Sequence, residues 1–196
     1  MTVEISAYPL AIEGQRVGLR DFTPDDLDST MAIVGDPRVT AYLSFDKKDR
    51  QEQERLLAAQ VDGAKASPRT EYYLAVTESK TGQVVGFARL GVGAHASAKL
   101  GYAIRWQDWG KGFATEAADT LLRFGFETVG LHRVTAACGP DNLASRRVLD
   151  KLGFTVEGRL RDHVFTNGAW RDSLLYSILA HEYPAIVGHL SCSTME

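Results

Sequence analysis

Two short stretches of this chain bring together groups that could do chemistry. Residues 106–117 read Trp106, Gln107, Asp108, Trp109, Gly110, Lys111, Gly112, Phe113, Ala114, Thr115, Glu116 and Ala117. Two glycines and small neighbours leave the backbone bare where a helix should begin. First-turn N–H groups have no intrahelical acceptor, and the helix dipole is positive at that end, so such a turn suits a phosphate-bearing ligand. Further on, Asn142 and Ser145 lie three residues apart and share a helix face. Taken alone, that pair is a helix cap and a polar first-turn residue.

The identity of the anion can be narrowed by template. A P-loop needs Gly-x-x-x-x-Gly-Lys-Ser/Thr, which this stretch does not supply. A dinucleotide fingerprint, Gly-x-Gly-x-x-Gly/Ala, meets Thr115 at its third place, and the next strand has no acid placed for a ribose.

The elements that must position these residues follow from pattern. Residues 17–22 alternate as a strand. Thr23 with Pro24 opens a helix to about 34, and Asp46 is read as the cap of a second helix over 47–63. Residues 72–77, 83–92 and 100–105 form a strand meander. The segment 112–129 carries Phe113, Ala117 and Leu121 with Ala118, Leu122 and Phe126, an apolar helical stripe. A strand over 132–138 makes this a crossover, so the strands near 100 and 132 run parallel. Asp141 or Asn142 caps a helix that ends at Gly153, and strands over 154–165 and 170–179 flank the hairpin pair Asn167-Gly168. The expected fold is α/β of the α+β type: a mixed, mostly antiparallel sheet of about seven strands with helices on both faces.

The 196 residues predict one domain over 1–183 and a tail over 184–196. A net charge of −3 argues against a general nucleic-acid binder. No apolar run approaches membrane-spanning length and the N-terminus lacks signal-peptide features, so the expected location is cytoplasmic. Cys138 and Cys192 give neither a disulfide framework nor metal spacing.

Gln107-x-x-Gly110-x-Gly112-Phe113-Ala114 matches the Gln/Arg-x-x-Gly-x-Gly/Ala signature of the GCN5-related N-acetyltransferases. Asn142-x-x-Ser145, the run Lys151, Leu152, Gly153, Phe154, and Glu157-Gly158 resemble that superfamily's ribosomal-protein (RimJ/RimL-type) branch. Gly130, Leu131, His132, Arg133 and the segments 168–172 and 176–177 match it too, and the resemblance spans residues 16 to about 183.

The resemblance implies a splayed pair of parallel strands and acetyl-CoA as donor. It implies a pyrophosphate cradle at Gly110, Lys111, Gly112, Phe113, Ala114 and Thr115, with Gln107 in its signature and Trp106 and Trp109 beside the channel. A backbone N–H near Ile104 becomes the expected oxyanion donor, Asn142 a contact to the cofactor arm, and Ser145 a hydroxyl near the sulfur. For the general base, Glu71 ranks first through a water, ahead of Asp162, His163 and His132. Glu116 reads as structural. The acceptor is a primary amine, either a peptide N-terminus or a small molecule, walled by residues 24–63 and the 162–171 hairpin. A homodimer is left open. The rival readings are a non-catalytic CoA-binding module and a transferase for another acyl-CoA such as succinyl-CoA.

Overall fold

A computed structural model describes residues 8–183; the predicted tail and the extreme N-terminus lie outside the described residues. The strands are β1 (Ala11–Ile12), β2 (Val17–Asp21), β3 (Glu71–Glu78), β4 (Val84–Val92), β5 (Ser97–Ile104), β6 (Arg133–Cys138), β7 (Thr155–Thr166) and β8 (Ala169–Leu179). The helices are α1 (Leu27–Val34), α2 (Pro37–Thr40), α3 (Arg50–Gly63), α4 (Phe113–Arg123) and α5 (Leu143–Lys151). One sheet carries all eight strands in the order β1-β2-β3-β4-β5-β6-β8-β7. Every pairing is antiparallel except β5 with β6. The strand beyond the expected seven is β1, whose two residues are too few to show alternation.

Each sheet face buries its own core. Leu74, Val76, Leu90 and Leu100 pack under α4, which contributes Phe113, Ala117, Ala118, Leu121 and Leu122. Each fully buried leucine stabilises by roughly 1.5–3 kcal/mol. On the other face Ala75, Phe87 and Ala103 pack with Ile33, Val34 and Leu57 of α1 and α3.

Several boundaries differ from expectation for local reasons. Asp49, not Asp46, caps α3, accepting from the Glu52 N–H at 2.8 Å. Asp46 instead accepts the Asn167 N–H at the tip of the β7–β8 hairpin, 2.7 Å away. The predicted long helix stops at Arg123 and widens into a π-type turn over Phe124–Thr128. The short α2 begins at Pro37 with Asp36 as its cap. The hairpin turn is as expected, with Asn167 and Gly168 both at positive φ (51° and 74°).

The feature that matters for the site is how β5 and β6 part. They pair only over residues 97–100 and 133–136. Beyond that, β5 stays bonded to β4 as far as Ile104, and β6 stays bonded to β8 as far as Cys138. Each strand keeps its outer partner and loses the inner one, so a slot opens in mid-sheet.

Candidate active site

The slot has a defined polar lining. Arg105 N–H bonds Val85 O on β4 at 2.8 Å. Amide direction alternates along a strand, so the N–H groups of Ile104 and Tyr102 face away from β4 into the slot. The Ile104 carbonyl, on that same side, accepts the Trp109 indole N–H at 2.7 Å.

At the slot's mouth, Gly110 and Gly112 both hold left-handed backbone, with φ of 78° and 80°, and Gly112 is the residue from which α4 starts. A Cβ at Gly110 would meet nothing within 4 Å, whereas one at Gly112 would meet the Arg16 guanidinium at 3.1 Å. The turn is braced. Arg16 donates to Lys111 O at 2.9 Å and pairs with Glu116 at 2.7 Å. Glu116 also accepts the backbone N–H groups of Arg16 and Val17 at 2.5 and 3.2 Å, which ties the first turn of α4 to β2. Burial pushes the Glu116 carboxyl up, but these donors outweigh it and hold it below the usual glutamate range. Its structural role agrees with expectation.

Lys111 does not extend freely. Its Nζ lies 2.6 Å from Asp108, a buried carboxylate that also pairs with Arg105. Burial pushes the Asp108 carboxyl up, and the hydrogen bonds from Lys111 and Arg105 bring it below its ordinary value. Phe113 is buried in the core beneath the turn, with Ala114 packed against the same cluster and Thr115 half-buried beside them. Trp106 lies under the Arg38 guanidinium, 3.8 Å from its ring centre, and Trp109 meets Tyr42 edge-on at 6.0 Å. Both indoles therefore pack against the α2 region while Trp109 also caps the slot. Gln107 faces a shallow depression shared with Met31, Gly35 and Arg38.

The other side of the slot is α5. Asn142 caps it, accepting the Ser145 N–H at 3.1 Å. Ser145 Oγ lies 2.9 Å from the phenol of Tyr102, which rises from β5. Cys138, the last residue of β6, is buried beside them; burial raises its thiol, and a hydrogen bond with Ser145 pulls the other way. Arg146 Nε is buried with no hydrogen-bond partner among the described residues.

Glu71 is not brought to the open half of the slot. Register sets it opposite Gly91, and Gly91 opposite Lys99, level with the paired half of β5. Both its oxygens are engaged by the Arg89 guanidinium at 2.7 and 2.9 Å. His163 stands differently. Leu174 pairs with Cys138, so Ser173 lies just past the end of β6, and Ser173 Oγ is 3.0 Å from His163 Nδ1. An irregularity in β7 between Leu160 and Val164 carries His163 there, with Asp162 at φ 44°; bulges of this kind re-aim side chains. His132 lies at the entry to β6, its N–H bonded to Ala96 O, at the paired end.

The two expected acceptor walls touch. Arg171 donates to Ala41 O and Leu43 O at 2.6 and 2.8 Å, beside the Asp46–Asn167 bond. The acids of the first wall are largely paired: Asp26 with Arg20, Asp28 with Arg50 and Glu52 with Lys48.

A family model described as an acetyltransferase (GNAT) domain matches residues 16–155. The chain belongs to the GNAT acetyltransferase family. It is 31% identical over 174 residues to the uncharacterized N-acetyltransferase YoaA of Bacillus subtilis, covering 88% of this chain and 97% of that one. It is 30% identical over 117 residues to the [ribosomal protein uS5]-alanine N-acetyltransferase of Escherichia coli, covering 57% of this chain and 59% of that one. Among solved structures, Mycobacterium smegmatis RimJ in complex with CoA-disulfide matches with a TM-score of 0.80 at 27% identity, over 94% of this chain and 95% of that one. The chain is thus an N-acetyltransferase of the GNAT class, similar to RimJ.

For a GNAT enzyme the donor carries a pyrophosphate and a long polar arm, and this chain's geometry fits both. The glycine turn at the N-terminus of α4, with open space beside Gly110, suits an anion, and the unpaired edges of β5 and β6 match an arm with amide groups. Three residues that the structure brings to the candidate site were not singled out from sequence. Asp108 had a legible signal, since Arg105 and Lys111 flank it at three residues on either side. Tyr102 shares strand parity with Leu100 and Ile104, which face the helices. Arg16 had none, because its partners lie far along the chain.

Proposed function

We propose that this GNAT enzyme moves acetyl from acetyl-CoA directly to a primary amine. The observation that carries the reading is the slot between β5 and β6 with the bare glycine turn at its mouth and Ser145 on its wall. Acetyl-CoA as donor supplies an activated thioester. The backbone amides of residues 110–115 hold its pyrophosphate, and the unpaired edge of β5 holds its arm. The Ile104 N–H donates to the carbonyl oxygen as that atom gains charge. Asn142 holds the first turn of α5, and Ser145 presents a hydroxyl to the departing sulfur, whose thiol pKa is ~8.5 in model cysteine.

His163 replaces Glu71 as the side chain that takes the amine's proton. An α-amino group of pKa ~7.7–8.0 is partly neutral near pH 7 and needs less help from a base than a lysine near ~10.4. Cys138 is not a nucleophile here: its thiol is buried and raised, and no histidine contacts it among the described residues. The acceptor class is an exposed amine, a peptide N-terminus or a small polyamine, entering between the wall of α1–α3 and the β7–β8 hairpin.

The test combines coenzyme A calorimetry with thiol release from acetyl-CoA over an alanine-terminated peptide, spermidine and an aminoglycoside. Ser145→Ala should lower turnover with little change in coenzyme A affinity, and so should His163→Gln. Coenzyme A binding without turnover on any acceptor would favour a non-catalytic module. Faster turnover with succinyl-CoA would reassign the acyl group.

A further inference from the structure

We propose that Tyr102 aims the Ser145 hydroxyl into the slot, so that the serine's own hydrogen points at the sulfur of the leaving group. Tyr102 is thus a positioning residue; the inference rests on the acetyl-transfer reading.

The geometry is a short chain of hydroxyls across the open half of the slot. The phenol of Tyr102 lies 2.9 Å from Ser145 Oγ and 3.3 Å from the Ser145 carbonyl. A phenol has one hydrogen to give; in the shorter contact, to Oγ, either oxygen can be the donor, and the proposal makes the phenol the donor there, with the Ser145 carbonyl as its competing acceptor. Once Oγ accepts it, the serine hydrogen must turn elsewhere. The Ser145 N–H is already taken by Asn142 Oδ1, which fixes the turn from which the hydroxyl projects. Around this pair stand Cys138 from β6, Tyr176 from β8, and Arg146 and Asp150 from α5. Cys138 is a weak acceptor. A sulfur carrying charge in the slot is a strong one.

Tyr102 orients and does not itself give up its proton. Burial holds its phenol above the ordinary value of ~10, well above a thiol at ~8.5. Full transfer to sulfur would run uphill, so the phenol stays a donor across the working range. The balance of the step is then complete without it. The amine nitrogen forms the C–N bond and loses one proton to His163. The C–S bond breaks with its electron pair going to sulfur. Sulfur takes the Ser145 hydrogen bond and then a proton from solvent, leaving amide and free thiol.

The test needs no acceptor. Coenzyme A is bound and its thiol titrated by thiolate absorbance, with the desulfo-coenzyme A complex as blank, so that the protein's own thiols and phenols cancel. The bound thiol should be about tenfold more acidic than the free one, the size expected for one hydrogen bond to a charged group. Tyr102→Phe should return most of that gain and Ser145→Ala all of it; the double variant should go no further, and Ser145→Thr should keep it. Desulfo-coenzyme A should bind all of them alike. If Tyr102→Phe leaves the bound thiol as acidic as in wild type, or if the two losses add, the inference is overturned. A bound thiol titrating like the free one also overturns it while the donor site stands. Failure of coenzyme A to bind the wild type overturns the underlying reading instead.

Discussion

Gly110 separates two things a glycine can do: relieve backbone strain and leave room for a ligand. Its φ of 78° lies in the left-handed region, where an L-residue costs roughly 1–2 kcal/mol. A domain of this size loses roughly 2–4 °C of Tm per kcal/mol, so Gly110→Ala should lower Tm by roughly 2–8 °C. Asparagine tolerates that region, so Gly110→Asn should lose much less. An added Cβ meets no protein atom within 4 Å, so neither variant has a clash to absorb in the free protein. The donor is another matter, because the proposed cradle puts its phosphates in that space. Losing one charged hydrogen bond there costs about 1.5–3 kcal/mol, or about ten- to a hundredfold in Kd. Both variants should show that loss by calorimetry with coenzyme A, although only one is strained. Gly82 supplies the control, since it has a similar φ of 69°, equal space, and a place in the distant β3–β4 turn. Gly82→Ala should lose Tm but no affinity. Wild-type affinity in Gly110→Asn would refute the assignment of this turn as the phosphate cradle.

Two further outcomes test the scaffold. Arg69 and Asp21 form a buried pair at 2.5 Å, and Asp21 also accepts the Leu10 N–H. Arg69→Ala should cost about 3–5 kcal/mol by urea denaturation, whereas replacing both partners by apolar residues of similar size should be close to neutral. Glu116, held below the usual carboxylate range when folded, contributes stability above its unfolded pKa of ~4.3 that is lost as pH falls through its folded value. Thermal melts of Glu116→Gln should therefore fall below wild type at pH 7 and converge with it in acid; a gap that persists at pH 2 would contradict the sign.

Much of the local structure around the candidate site was legible because its determinants are local. Gly110 and Gly112 needed left-handed backbone, and the stripe from Phe113 to Leu122 needed a helix against a sheet; both follow from neighbours within a few residues. Helical spacing made Asn142 and Ser145 a cap and a first-turn neighbour, and only the family resemblance implied roles for them beside the donor. The choice among the candidate bases, Glu71, Asp162, His163 and His132, was not legible. Glu71 has the right functional group, but only register shows that it stands level with Lys99 and is held by Arg89. His163 reaches its place through an irregularity in β7 that no periodicity announces. The cap at Asp46 failed similarly, because two aspartates three residues apart compete for one helix start and the hairpin tip claims one of them.

Sequence alone therefore determined the turn, the helix it opens, the hairpin and the family signature. Each depends on backbone preferences and side-chain periods that act over one or two turns of chain. Only the tertiary structure decided what meets across the slot. Tyr102 joins Ser145 from another strand, Arg16 braces the glycine turn from β2, and the hairpin latches onto the α2–α3 connection. These contacts span tens of residues and arise because β5 and β6 keep their outer partners and release each other. That parting is a property of the whole sheet, set by competing pairings, and no local stretch of sequence encodes it.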